Sequence, residues 1–311
     1  MANQAITSGS TSLGASGLNS LLTFFLASFR AIKRNAGRPL NYVNTDASAL
    51  VSSEGQTVTV PLYPTAASSL LTDGSAVTQD DSVGSSVSVT LNKHRVTKFS
   101  LTEIASALDG NKVNGGLMEG RIAGLLNDVE TDVLSLATAG FTTNVVGSYN
   151  TAMTEANIIA AQAAYQAQLP PDNEIPVMLV RPEANAWGAL LSLAAFRDYQ
   201  VTGITSPTVG QGYMANGGTR YGFQWIPTQA LPKSGTSIDN LGFNRNAICV
   251  AMRSLPTPMS PGVQAINSAV DGVSFQILLN WNSDRLADEM TIHTLYGYSV
   301  GKEQWGVQFK S

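Results

Sequence analysis

The chain of 311 residues has one cysteine, two histidines and few charges, with only 13% of its positions Asp, Glu, Lys or Arg. An ordinary soluble domain carries roughly a quarter. Each shortage excludes something. A lone Cys249 cannot close an intramolecular disulfide, so a stapled secreted scaffold is ruled out. It stands in the apolar run Ala247-Ile248-Cys249-Val250-Ala251 and reads as a buried small hydrophobe, not a thiol nucleophile. His94 and His293 lie far apart in sequence, and no CxxC, HExxH or calcium-loop pattern accompanies them, so neither metal nor cofactor is expected. A long apolar run is missing too. Leu18–Ile32 is interrupted by Asn19, Ser20, Thr23, Ser28 and Arg30, and falls short of the ~20 apolar residues a membrane span needs. No basic residue precedes it to form a signal-peptide n-region. It reads as an amphipathic helix on a soluble, cytoplasmic chain with no membrane contact.

What fills the sequence instead is small and polar: 28 glycines and abundant Ser, Thr, Ala and Asn, beside 43% hydrophobic residues. That apolar content can bury a core, so disorder is excluded, and the length suits about two modules. A surface so poor in charge implies that much of it faces other protein. The charge present is uneven. Arg30, Lys33, Arg34 and Arg38 are the only charged groups before Asp46, which sets a +4 arm against a −8 body. Such an arm suits an acidic surface or nucleic acid, although no recognition motif or aromatic stacking pattern accompanies it.

Periodicity sorts the rest. Residues 1–17 show none and read as a flexible arm, followed by a short helix at about 18–34 that Gly37 and Pro39 end. Gln56-Thr57-Val58-Thr59-Val60 alternates like a strand, as does Val87–Leu91, continuing through His94–Phe99. The polar segment 61–86 between them describes a long hairpin that projects from the body and needs a partner subunit to pack against. Met118, Ile122, Leu125, Leu126, Val129, Val133 and Leu136 form a helical stripe over 116–139, closed by Gly140. A second helix starts at Thr154 and stops at Pro170-Pro171. Strand Ile175–Val180 then leads to a helix using Trp187, Leu190, Leu191 and Phe196. Residues 199–274 read as a loop-rich second module with short strands at Phe223–Ile226 and Ala247–Met252. Strands at Phe275–Trp281, Met290–Tyr298 and Trp305–Phe309 finish the chain and return to the first module.

No motif carries catalysis. Gly210-Gln211-Gly212 lacks the third glycine of a dinucleotide fingerprint, no Walker lysine follows a glycine-rich loop, and GxSxG is absent. His94 sits between Lys93 and Arg95 on an exposed strand face. Asp128 and Asp132, spaced i, i+4, read as a solvated helix face, and the adjacent Asp80 and Asp81 point to opposite sides of a strand.

The order of elements, with Gln56–Pro61, Thr72-Asp73-Gly74, Val87–His94, Val96–Thr102 and Asn127–Leu134, resembles the major capsid proteins of tailed bacteriophages. The likeness is to the HK97-type fold, P22 coat-like branch. It implies an α+β fold divided into an N-terminal arm with a short helix (1–45) and an extended E-loop hairpin (46–103). A P domain (104–198, spine helix 116–139, completed by strands in 275–311) and an A domain (199–274) complete it. It further implies no enzyme activity. The chain would be a shell subunit forming hexamers and pentamers around double-stranded DNA, located in the virion and assembled in the host bacterial cytoplasm. Its partners would be scaffolding, portal and decoration proteins. Arg30, Lys33, Arg34 and Arg38 would face the interior, and Asp73, Asp80, Asp81, Lys93, Arg95 and Lys98 would make contacts between subunits. There is no room for the inserted domain of longer P22-like members. The competing readings are an α/β hydrolase using an Asp or Ser within 199–274, or a tail-tube subunit, against which the long helix argues.

Overall fold

Strict alternation builds the first ladder. Val58, Val60 and Leu62 point one way and Thr57, Thr59 and Pro61 the other along β1 (Thr57–Leu62), so only the first set is buried. β1 pairs antiparallel with β2 (Ser85–Thr90), Thr57 opposite Thr90 and Leu62 opposite Ser85, which forms the expected hairpin arms. The structure, a computed structural model, describes residues 38–45, 57–62, 73–74, 85–102, 111–168, 170, 175–193, 196, 219–258, 263–270 and 273–311, with positions 27 and 32. The expected arm, most of the hairpin tip, and the positions of Arg30, Lys33, Arg34, Asp80 and Asp81 lie outside them.

At Leu91-Asn92 the chain leaves the hairpin and enters a second sheet as β3 (Lys93–Thr102). The alternating run that reads as one strand is therefore two. The helical stripe forms α1 (Asn111–Leu134), which starts ahead of the expected position and takes Gly115 and Gly116 into its first turns. It ends at Ser135, where the backbone N–H is shared between Thr131 O and Asp132 O and the hydroxyl donates to Asp132 O at 2.6 Å. That local competition tightens the turn before the short α2 (Leu136–Ala139). Ile122, Leu125, Leu126, Val129, Val133 and Leu134 are buried, as the stripe requires.

After β4 (Val145–Gly147), Thr154 caps α3 (Glu155–Gln166) by accepting the Asn157 N–H. β5 (Val177–Val180) leads through a π-helical turn, Ala184–Gly188, into α4 (Ala189–Ser192). The strands that follow are β6 (Thr219–Arg220), β7 (Phe223–Pro227), β8 (Lys233–Ser234), β9 (Ser237–Phe243) and β10 (Ile248–Arg253). The chain then forms β11 (Gln264–Val270), β12 (Val273–Asn282), β13 (Ala287–Val300) and β14 (Gly306–Lys310).

These strands make two larger sheets that redraw the expected division of the chain. β10, β13, β12 and β11 lie in that order with β3 along β13, whereas β4, β14, β9, β5, β7 and β6 form the other, with β8 on β9. Thus β5, expected with the spine-helix module, pairs with β7 and β9, while β10 and β11, expected in the 199–274 module, join β12 and β13. β14 also crosses over, running antiparallel to β9. Strand pairing is non-local, so composition along the chain did not announce it. The return of β12 and β13 to β3 and α1 does follow the expectation.

One core runs between α1 and the inner face of the five-stranded sheet (Phe99, Val250, Met252, Phe275, Ile277, Met290, Ile292, Tyr296). It continues into the second sheet through Phe141, Leu179, Leu241 and Phe243. The opposite face of that sheet packs against α3 and α4 through Met178, Phe223, Trp225, Val307 and Phe309. Residues 43–45 run beside β10, with Asn44 N–H on Ile248 O and Val250 N–H on Asn44 O.

Gly140 ends α2, but not for the left-handed conformation a C-terminal glycine usually supplies: its φ is −92°. A Cβ there would stand 2.7 Å from Val300 Cγ2 and 2.8 Å from Leu136 O. Gly140→Ala, which helix propensity alone would favour, is therefore expected to destabilise by about 1–3 kcal/mol, read as a lower urea midpoint at unchanged slope.

Candidate functional site

The feature most unlike an enzyme cleft is the root of the hairpin. Val58, Val60, Val89 and Leu91 bury themselves against Cys249 and Ala251 of β10, with Leu295 of β13 alongside. Cys249 is fully buried and unoxidised, an apolar member of this cluster as the sequence implies. β2 crosses β13 at Gly297, where a Cβ would come within 2.1 Å of Thr90 O. The hairpin thus leaves the body from a fixed, close-packed base.

Of the sequence-derived positions that fall among the described residues, Arg95 and Lys98 lie near this root with partners inside the chain. Arg95 extends from β3 to α1, where Nε and Nη2 donate to the Asp132 carboxylate at 3.2 and 2.9 Å. Tyr296, fully buried on β13, donates to the same carboxylate at 2.5 Å. Asp132 is therefore not on a solvated face; it is the point where α1, β3 and β13 are tied. Burial is the largest influence on its carboxyl and pushes it up, but the bonds from Tyr296 and Arg95 outweigh it and hold the group below the usual range. Burial and then the bond to Asp132 raise the Tyr296 phenol, against the opposing pull of Arg95. Lys98 pairs with Glu289 at 2.5 Å across β3 and β13, and this bond with that from Asn282 lowers the Glu289 carboxyl. Lys93 is exposed, as is Asp73, which turns with Gly74 (φ +84°) at the described part of the hairpin tip.

Arg38, read as part of a basic arm, lies against α1: Nη1 donates to Glu130 at 2.9 Å and to Asn127. Glu130 is 3% exposed, and burial raises its carboxyl against the opposing pull of Arg38. The sequence missed Glu130 and Tyr296 as anchors because their partners stand 92 and 164 positions away. It also missed Glu303, whose Oε1 accepts the backbone N–H and hydroxyl of both Thr142 and Thr143 at 2.8–2.9 Å. Those hydroxyls and amides hold its carboxyl down at about 2.

Among the described residues no group of three or more His, Cys, Asp or Glu side chains could hold a metal ion, and no helix is long and apolar enough to cross a membrane. A crevice between α1 and the sheet, lined by Ile122, Leu126, Val129, Met252 and Phe275, has a volume of about 10 Å³, room for at most one water.

No family model matches the sequence, and no curated protein matches it. Solved structures do. One from Mycobacterium phage Che8 aligns over 87% of this chain and 89% of its own, with a TM-score of 0.59 and 14% identity. The capsid structure of the cyanophage P-SCSP1u aligns over 83% and 84% (TM-score 0.55, 12% identity), and the capsid of an empty GTA particle over 89% and 90% (0.53, 10%). The chain has the HK97-type capsid fold. Its α+β architecture is the one the resemblance implied. In this HK97-type chain the long helix is α1 and the extended hairpin is β1–β2, so Asp132 ties the helix to the strand that continues the hairpin.

Asp132→Ala would take away the acceptor of the buried Tyr296 hydroxyl and leave Arg95 only its longer pairing with Asp128 at 3.8 Å, at a cost of about 1–3 kcal/mol. Because the folded carboxyl is lowered, this contribution is complete above the unfolded value of about 4 and is lost as pH falls through the folded one. The difference between wild-type and variant urea midpoints should be constant from pH 6 to 8 and shrink below pH 4.

Proposed function

We propose that this chain is the shell subunit of a tailed-phage capsid, without enzyme activity, that assembles as hexamers and pentamers into an icosahedral shell around double-stranded DNA. The observation that carries the reading is the fold, shared over nearly the whole length of both chains with capsid structures. A surface short of charge on a chain with 43% hydrophobic residues supports it, because burial between many copies is the use such a surface has. The hairpin supports it too, since its root packs within the chain while its tip is polar and small.

In this reading the unit of α1 with β3 and β10–β13 is the peripheral domain, the sheet of β4–β9 and β14 is the axial domain, and β1–β2 is the E-loop. Asp73, Asp80, Asp81 and Lys93 then meet a neighbouring subunit. Arg95 and Lys98 contribute indirectly, by fixing β3 to Asp132 and Glu289. Arg30, Lys33 and Arg34 carry the interior-facing charge toward scaffold or DNA, while Arg38 anchors that segment on Glu130. The virion is the location, with assembly in the host bacterial cytoplasm beside scaffolding and portal proteins. With no inserted domain, contacts between capsomers or a decoration protein supply the corresponding stability.

Electron microscopy of the purified chain, alone or with a scaffolding partner, should show closed shells or capsomer rings; a stable monomer under both conditions refutes the proposal. Replacing residues 63–84 by a short turn leaves the β1–β2 ladder intact. That variant is expected to unfold within a few degrees of wild type in calorimetry while forming no closed shells.

A further inference from the structure

The only two histidines of the chain, which the sequence places far apart, meet at the hairpin root. His94 Nε2 lies 3.2 Å from His293 Nδ1, with the rings edge to face at 5.3 Å between centroids. Register brings them together: on β13, Leu295 is opposite His94 and His293 is opposite Val96, so the two imidazoles share the outer face of the sheet. They differ in surroundings. His94 is exposed, whereas His293 is 6% exposed and its Nε2 is buried with no hydrogen-bond partner.

One proton can occupy the gap between the two nitrogens; two cannot. If His94 donates, His293 must keep Nδ1 as an acceptor and stay neutral. A second imidazolium would need a carboxylate, and among the described residues the outer face offers no unpaired one beside the pair. On β13 the nearest is Glu289, four residues along and held by Lys98 of β3. β12 presents the neutral Gln276 opposite His293, its amide bonded to Leu255 O, Pro256 O and Asn267. β10 presents Arg253 opposite Leu295, another positive charge, and the hairpin strands present Val58, Val60 and Val89. Among the described residues, the groups named on the elements packed around the pair are therefore apolar, neutral or cationic, apart from a carboxylate already paired.

We propose that the His94–His293 pair is an acid-released latch: with a single proton between the rings it fastens β3 to β13, and uptake of a second proton in mildly acidic solution, which turns both rings into imidazolium, loosens β3 where the hairpin leaves the body. The device belongs to the single chain, so it holds whatever that chain assembles into. Burial, then the adjacent His94, lowers the affinity of His293 for a proton in the fold. The unfolded side chain takes up a proton near pH 6.5. The closed state is thus unpenalised above that pH and weakens as pH falls from it toward the lower folded value, by at most tenfold per unit.

Hydrogen exchange of the full-length chain, followed by mass spectrometry from pH 7.5 to 5, reads this directly. Corrected for intrinsic rates, protection of peptides covering 93–102 should fall by up to about tenfold per pH unit below pH 6.5, while peptides covering 237–243 in the other sheet hold theirs. His293→Gln should flatten that dependence. Equal protection at pH 7.5 and 5, or an unchanged fall in the variant, overturns the latch. Should the variant not fold, C2-proton exchange of the wild-type histidines decides. His293 must titrate below its value in the urea-denatured chain, and titration at or above that value refutes the proposal.

Discussion

The fold depends on β13 being bonded along both edges. This strand of 14 residues carries β3 opposite Ala287–Tyr296 on one side, and on the other β12 opposite Ala287–His293, then β10 opposite Leu295–Val300. Its alternation assigns every layer at once. Met290, Ile292 and Tyr296 enter the core beneath α1, while Glu289, His293, Leu295 and Gly297 meet Lys98, His94, the hairpin base and the β2–β3 junction. A slip of one residue would exchange these two sets, placing a carboxylate and an imidazole against Val129 and Phe275 and exposing Tyr296. Register is specified here by the cost of the alternative.

Polar groups then act as fasteners inside the chain rather than as a solvated coat. Asp239, 7% exposed, accepts from Tyr149, Thr138 and Gln308 at 2.8 Å each, which joins the β4 region, α2 and β14 without a counter-ion. Asn240 is wholly buried, and its amide donates to Phe309 O and Ser311 while its oxygen accepts the Arg181 N–H. Arg181 in turn caps the carbonyls of Gln229 and Leu231. A buried polar group left unmatched costs about 1–3 kcal/mol, so these matched sets hold loop to sheet with few alternatives. They also consume part of the small complement of charge that the chain possesses.

This is why some elements could be read from the sequence and others could not. The stripe on α1, the Thr154 cap and the alternating β1, β12 and β13 are local patterns, and local patterns survive into the fold. β9 does not advertise itself: Ser-Ile-Asp-Asn-Leu-Gly-Phe carries four turn-forming residue types, yet all but the first residue are buried. Its polar side chains are tolerated because Tyr149, Gln308 and Phe309, remote in sequence, satisfy them. Asp132 was misplaced for the same reason, since the i, i+4 spacing with Asp128 is a correct helical observation that says nothing of Arg95 and Tyr296. The histidine pair could not be found at all without the β3–β13 register. The one signal available was negative: two histidines in a chain this poor in ionisable groups invite the question of whether they meet.

The hairpin divides into two parts with different sources of stability, and that division bears on the proposed function. Its root is held by the chain itself, through Val58, Val60, Val89 and Leu91 on the β10–β13 face, so the direction of departure is set before any partner arrives. Two strands alone are marginal in water, and Thr57, Thr59 and Pro61 on the exposed side add nothing to bury. In the proposed shell, further burial for the hairpin comes from a neighbouring copy. A projecting element with a preset direction loses less freedom on docking than a free loop would, which leaves more of the contact energy as affinity. Because β2 leads through Leu91-Asn92 into β3, the same root connects the β1–β2 ladder through Arg95 to Asp132 on α1. In the proposed shell, load on one copy's hairpin therefore reaches the long helix of that copy through β3, and the strength of the β3–β13 seam decides how much of it arrives.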